Sequence, residues 1–197
     1  MVKIQPIAFL SYVRSDDEHE NGRLTQFCER LSAEVKMQTG EEFHIFQDRK
    51  DIKWGENWKE RIEKTLDGVT FLILIITPSF FTSTACRDEF KRFIEREKKL
   101  NRNDLILPVY YVSSPLLDIK EKCAADEIAK IISSRQRVDW REIRFMLPTA
   151  PEYGKRLAEI AVQIRESLER VQLKVITPEH KKVEADTDSE MSGSMSG

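Results

Sequence analysis

The sequence predicts an α/β chain built on a doubly wound, five-stranded parallel sheet, and two observations carry that prediction. Phe71-Leu72-Ile73-Leu74-Ile75-Ile76 is an unbroken apolar run of strand length, which suits a strand buried on both faces. Runs of this kind alternate with segments whose apolar residues recur at helical spacing. Such alternation means parallel strands joined by crossover helices that cover both faces of the sheet. The 197 residues are 40% hydrophobic and 34% charged, enough for one domain with a sizeable core.

The elements follow in order. Ile7-Ala8-Phe9-Leu10-Ser11-Tyr12 reads as the first buried strand, followed by a loop from Arg14 to Gly22. Leu24, Phe27, Cys28, Leu31 and Val35 then trace one face of a helix. Phe43 to Phe46 is a second short strand, and Asp48 to Asn57 is a polar loop with Gly55 near its end. Trp58, Ile62 and Leu66 mark a helix that stops near Gly68. The third strand, Phe71 to Ile76, is broken by Thr77-Pro78-Ser79. A helix begins at about Ser83, with Phe90, Phe93 and Ile94 on one face.

Leu105 to Tyr111 is the fourth strand, in which Pro108 argues for a strand end or a bulge. Residues from Ala124 to Ile132 read as helical, and Arg135 to Asp139 as a short, charged edge strand. The last helix starts at about Glu152 and aligns Leu157, Ile160, Ala161, Ile164, Leu168 and Val171. The whole is a flavodoxin-like arrangement over residues 4–173. Residues 174–197 lose apolar side chains and end in a Ser/Gly-rich stretch. They are expected to be a disordered acidic tail or a linker.

Several function classes are excluded. A formal net charge of −2 does not mark a nucleic-acid binder. Cys28, Cys86 and Cys123 are too few and too scattered for a disulfide framework or a zinc pattern, so a reducing, cytoplasmic setting and no metal are expected. Cys28 reads as a small core residue. Met1 to Pro6 lacks a signal-peptide pattern, and no apolar run is long enough to span a bilayer, so no membrane partner is expected. With 7 Gly in the chain, no phosphate-cradling loop stands out. Asp16-Asp17-Glu18-His19-Glu20 reads as a solvated loop rather than a metal site. Asp48 and Asp51 suit a helix start or salt bridges, and Trp140 is placed to pack the last helix onto the sheet.

Cys86-Arg87-Asp88-Glu89 lies just after the loop that leaves the third strand. Open α/β sheets place ligands at the carboxyl ends of their strands, so Glu89, one turn into the following helix, is the candidate for the chemistry. On position alone the commoner reading is a solvated helix residue, followed by Lys91 and Arg92.

Three stretches resemble the Toll/interleukin-1 receptor (TIR) domain family. Phe9-Leu10-Ser11-Tyr12-Val13-Arg14-Ser15-Asp16 resembles its opening box. Phe46 to Trp58, with Asp48, Gly55 and Trp58, is similar to its loop after the second strand. Ser79 to Glu89 resembles its third box, a Ser-rich loop leading to a Cys and then a Glu. The closest resemblance is to a stand-alone bacterial TIR domain. It implies one of two functions. Many bacterial and plant members cleave NAD+ at the nicotinamide–ribose bond, in several cases for antiphage defence, whereas most animal members are scaffolds that assemble other TIR domains.

For the enzymatic class, the resemblance makes Glu89 the catalytic residue and NAD+ the substrate, with no separate cofactor. Nicotinamide leaves a pyridinium as a neutral molecule, so no general acid is required. A single carboxylate can stabilise the oxocarbenium-like ribose. By the same resemblance, Tyr12, Val13, Arg14 and Lys53 bind the substrate, with Trp54 beside them in the loop. Arg14 is either a partner for the pyrophosphate or a solvated loop residue. Tyr12 stacks on a ring or packs on the core, and Trp54 meets either a ligand or a partner. Lys53 stands where some active relatives carry an acid, and Ala85 where many carry a Trp. The resemblance implies a second copy of the chain, or another TIR protein, as partner.

Overall fold

The apolar runs form β1 (Ile7–Ser11), β2 (His44–Phe46), β3 (Thr70–Ile76), β4 (Ile106–Tyr110) and β5 (Val138–Asp139). The structure, a computed structural model, describes residues 7–47 and 70–176. All strand pairs are parallel and the order is β2-β1-β3-β4-β5, as the sequence predicts. The chain moves from β1 to β2 on one side and comes back to β3 on the other. The carboxyl ends of β1 and β3 therefore flank the switch point of the sheet, where such folds open a crevice.

The described helices are α1 (Arg14–His19), α2 (Arg23–Thr39), α3 (Pro78–Thr82), α4 (Thr84–Leu100), α5 (Pro115–Asp118), α6 (Lys120–Ala125), α7 (Glu127–Ser133) and α8 (Pro151–Ile176). Alternate residues of β3 serve two cores. Phe71, Ile73 and Ile75 pack with Leu24, Phe27 and Leu31 of α2 and Leu157, Ile160 and Ile164 of α8. Leu72, Leu74 and Ile76 pack with Phe90 and Phe93 of α4 and Ile128 and Ile132 of α7. Every residue from Phe71 to Ile76 is at most 1% exposed, which is why the run carries no polar alternation. Each such side chain contributes roughly 1.5–3 kcal/mol by leaving water. Cys28 is core, as expected. Trp140 meets Phe27 and Tyr153 edge-on at 5.0 and 5.2 Å and so packs α8 onto the sheet.

Three local expectations are corrected. The expected loop from Arg14 to Gly22 contains α1, whose residues include none that is buried, so it leaves no apolar periodicity to read. Pro108 neither ends nor bulges β4, because the strand runs through it in register with Leu74. The Tyr110 carbonyl accepts from Trp140 N (2.9 Å), so Tyr110 and, two residues before it, Pro108 face the β5 side. There β5 begins only at Val138, opposite Val109, and the missing N–H of Pro108 has no strand to serve. The helix expected from Ala124 to Ile132 is broken at Asp126, whose carboxylate accepts from Ala129 N (2.9 Å) and starts α7 as its cap.

Glu97, near the end of α4, is 3% exposed and ties three elements together. It accepts from the amides of Leu105 (2.9 Å) and Ile106 (3.2 Å) and takes a two-pronged contact from Arg135 (2.6 and 3.2 Å). The expected Asp48–Asn57 loop and the Trp58–Leu66 helix lie outside the described residues. α8 runs to Ile176, and the expected tail lies outside them from residue 177 on. Among the described residues, no helix is long and apolar enough to cross a membrane, and no group of His, Cys, Asp and Glu could hold a metal ion.

Candidate active site

The turn that follows β3 is built by its hydroxyls. Thr77 ends the strand and accepts from Phe80 N (3.2 Å) to cap α3, with Pro78 at the first helical position. Ser83 accepts from Cys86 N (3.3 Å) to cap α4. Arg87 donates to the Phe81 carbonyl (3.2 Å) and to Asp126 (2.9 Å), which fixes the outer side of that first turn.

On its inner side, Cys86 is 3% exposed and its thiol donates to the Tyr12 carbonyl at 3.5 Å. One turn later, Glu89 is half-buried, and its Oε2 accepts from the Ser11 hydroxyl at 2.8 Å. Ser11 closes β1 and is 1% exposed. The start of α4 is thus keyed to the carboxyl end of β1 at the switch point. Burial pushes the Cys86 thiol up. The Ser83 and Ser11 hydroxyls act against this, and the nearby carboxylates of Glu89 and Asp16 add to it.

The acidic run of α1 proves to be structural, which corrects its reading as a solvated loop. Asp16 accepts from the Thr77 hydroxyl (2.7 Å) and so fixes α1 to the end of β3. Asp17 accepts from Leu24 N (2.8 Å) and the Thr25 hydroxyl (2.8 Å). It closes the amino end of α2, where the preceding Gly22 has φ +77° and no side chain to offer. Glu20 accepts from Tyr111 (3.1 Å), just beyond β4, and from Arg144 (2.8 Å). α1 therefore lies across the carboxyl ends of β3 and β4, with a separate anchor for each of three carboxylates.

Tyr12, Val13 and Arg14 follow β1 directly. Tyr12 packs against the core shared by α2 and α8, and Val13 against the core on the α4 side. Arg14 is exposed and pairs with Glu18 at 3.3 Å. These three residues and Glu89 share the β1 end of the crevice, whereas Lys53 and Trp54 lie outside the described residues. Ala85 is exposed beside the turn that carries Glu89. Sequence reasoning missed Ser11, Thr77 and Asp16 as parts of the site. The available signal was a hydroxyl residue at the end of each of two apolar strands, because a buried hydroxyl needs a partner.

A cleft of about 730 Å³ opens at the amino ends of β4 and β5, and Asp104, Arg135, Glu166, Ser167 and Arg170 are among its lining. None of the expected site residues lines it. Charges there pair internally, Arg135 with Glu97 and Arg170 with Asp104.

Comparison with known proteins shows the family. The TIR domain family matches residues 9–145. Among solved structures, one similar chain is a TIR domain of the activated Roq1 resistosome directly recognising the pathogen effector XopQ. The similarity covers 86% of this chain and 99% of that one at 15% identity, with a TM-score of 0.42. No curated protein matches. The family match takes in the end of β1, β2 to β5, α1, and the turn that holds Cys86 and Glu89, and the chain belongs to the TIR-domain family.

Proposed function

We propose that this chain cleaves the nicotinamide–ribose bond of NAD+, with Glu89 as the residue that stabilises the departing charge. The observation that carries the reading is the half-buried Glu89 carboxylate at the switch point, hydrogen-bonded through Oε2 to Ser11. When the C1′–N1 bond breaks, its electron pair goes to the pyridinium nitrogen and nicotinamide leaves neutral. The positive charge passes to the ribose as an oxocarbenium-like centre. A carboxylate in a partly water-excluded crevice stabilises that charge far better than it would in bulk water. Attack by water gives ADP-ribose and a proton; attack by a nitrogen of the substrate's own adenine gives a cyclic isomer and a proton.

In this reading Tyr12, Val13 and Arg14 form one wall of the dinucleotide site, and the family resemblance adds Lys53 and Trp54 as substrate-binding residues. Arg14 exchanges its exposed contact with Glu18 for a pyrophosphate oxygen. An exposed pair of this kind is worth at most about 1 kcal/mol, so the exchange costs little. Self-association through TIR–TIR contacts completes the site with a loop from a neighbouring copy. The family resemblance adds a cytoplasmic setting and a part in antiphage defence. The test is NAD+ consumption at high protein concentration, wild type beside Glu89→Ala, with the products separated by chromatography.

A second reading, a non-enzymatic module that binds other TIR domains, is favoured by one observation. The exposed residue beside the Glu89 turn is Ala85, so the site lacks the aromatic surface that a Trp would supply there. This reading expects Trp54→Ala to abolish partner binding and Glu89→Ala to leave it intact.

A further inference from the structure

We infer that Ser11 is the positioning residue of the Glu89 carboxylate, holding it aimed at the crevice through one part-buried hydrogen bond from the end of β1. The inference rests on the NAD+ reading for its kinetic consequences but not for the contact itself.

A glutamate on a helix gives up side-chain freedom when it is held in one arrangement. A hydrogen bond to a charged group is strong enough to offset that cost. Ser11 is well suited to provide it. At 1% exposure its hydroxyl is shielded from competing water. Its backbone is fixed in register with Leu74 in the interior of the sheet, so the donor sits on a rigid element rather than on a loop. Its single proton goes to an acceptor at 2.8 Å. The contact joins residues that lie 78 apart in the chain.

The turn that presents Glu89 is tied to β1 a second time by the Cys86 thiol on the Tyr12 carbonyl. The turn is thus also held by contacts that do not use the Ser11 side chain, the Ser83 cap on Cys86 N among them, while the Ser11 hydroxyl reaches the Glu89 carboxylate and lies beside the Cys86 thiol. Charge development in the transition state then meets a carboxylate already in place, which favours kcat over binding.

The experiment combines kinetics with a direct view of the carboxylate. Ser11→Ala is expected to lower kcat by about tenfold or more with KM changed less than about twofold, and Ser11→Thr, which keeps the hydroxyl, to restore most of kcat. In parallel, the side-chain carboxyl of Glu89 is followed by ¹³C NMR across the acid range and assigned by its loss in Glu89→Gln. Cys86, Asp88 and Arg92 on α4 and Arg14 and Asp16 on α1 are charged or titratable groups of the elements that meet at this end of β1, and all remain in every Ser11 variant. Loss of the donor to the ionised form should therefore move the Glu89 titration to higher pH in Ser11→Ala and not in Ser11→Thr.

If Ser11→Ala does not fold, Ser11→Cys, which keeps a weak donor of similar shape, takes its place and should shift the titration in the same direction by less. An unmoved titration, or a loss confined to KM, overturns the inference. The titration reads the contact without turnover. A shifted Glu89 with no nicotinamide released by the wild type would thus uphold the contact while ending the NAD+ reading.

Discussion

Removing the Glu97 carboxylate should destabilise the fold severely, because three elements share it. In the structure it accepts two backbone amides at the start of β4 and both prongs of Arg135. The side chains of the pair are 4% and 18% exposed, so neither charge is well hydrated. Breaking a buried pair from one side costs about 3–5 kcal/mol, since the remaining charge is left in a poor solvent. Each orphaned amide adds about 1–3 kcal/mol if water cannot reach it. These costs overlap, and for Glu97→Ala we expect a net loss of about 3–5 kcal/mol. A domain of this size has about 5–15 kcal/mol in total. With a urea slope near 2 kcal/mol/M, the unfolding midpoint should fall by about 2 M at unchanged slope. The double variant Glu97→Ala/Arg135→Ala should recover part of the loss, because the stranded guanidinium is gone. A loss under about 1 kcal/mol, the value of an exposed pair, would refute the claim that this carboxylate is a buried junction.

Other expectations follow from the same contacts. Burial works against the charge of Asp104, but hydrogen bonds from Arg102 and Ser167 and the charges of Arg102 and Arg170 hold its carboxyl below the usual range. Asp126 is held down likewise against its burial, by the Ala129 amide and Arg87. Both contribute stability that is present above the unfolded carboxylate value, near pH 4, and lost as pH falls through the lower folded value. Asp104→Asn and Asp126→Asn should therefore each flatten the acid limb of a urea-midpoint profile; unchanged limbs would contradict the assignments. Native-state thiol labelling should reach half-buried Cys123 first and leave Cys28 and Cys86 unmodified, since burial raises both of those thiols. Early mass-spectrometric labelling of Cys86 would count against the closed turn. Asp16→Ala should cost about 1.5–3 kcal/mol by freeing Thr77, and Asp16→Asn, which keeps an acceptor, less; equal losses by urea denaturation would remove the Thr77 bond as the cause.

What the sequence disclosed, and what it hid, follows from how local each signal is. The run from Phe71 to Ile76 is legible because burial on both faces leaves only apolar residues. The α4 pattern is legible because Phe90 and Phe93 are core at helical spacing. α1 was hidden because it buries no residue, and its acids are satisfied by partners far along the chain. The break at Asp126 was hidden because a capping Asp inside a helical pattern looks like any polar helix residue until its hydrogen bond is seen. Glu89 could be singled out from a box of residues and its place after a buried strand. Its partner could not, because the Ser11 contact is set by the sheet register and not by spacing along the chain.

The central claim is that Glu89 stabilises a ribosyl cation formed from NAD+, and one measurement tests it most directly. Wild type and Glu89→Ala are incubated with NAD+ at high protein concentration, and nicotinamide and its partner product are separated and quantified. The account predicts nicotinamide release by the wild type, a loss on the order of a hundredfold or more in the variant, and a cooperative urea transition that shows the variant is folded even though the Ser11 hydroxyl has lost its acceptor. Equal turnover by the folded variant, or no turnover by the concentrated wild type, would contradict it.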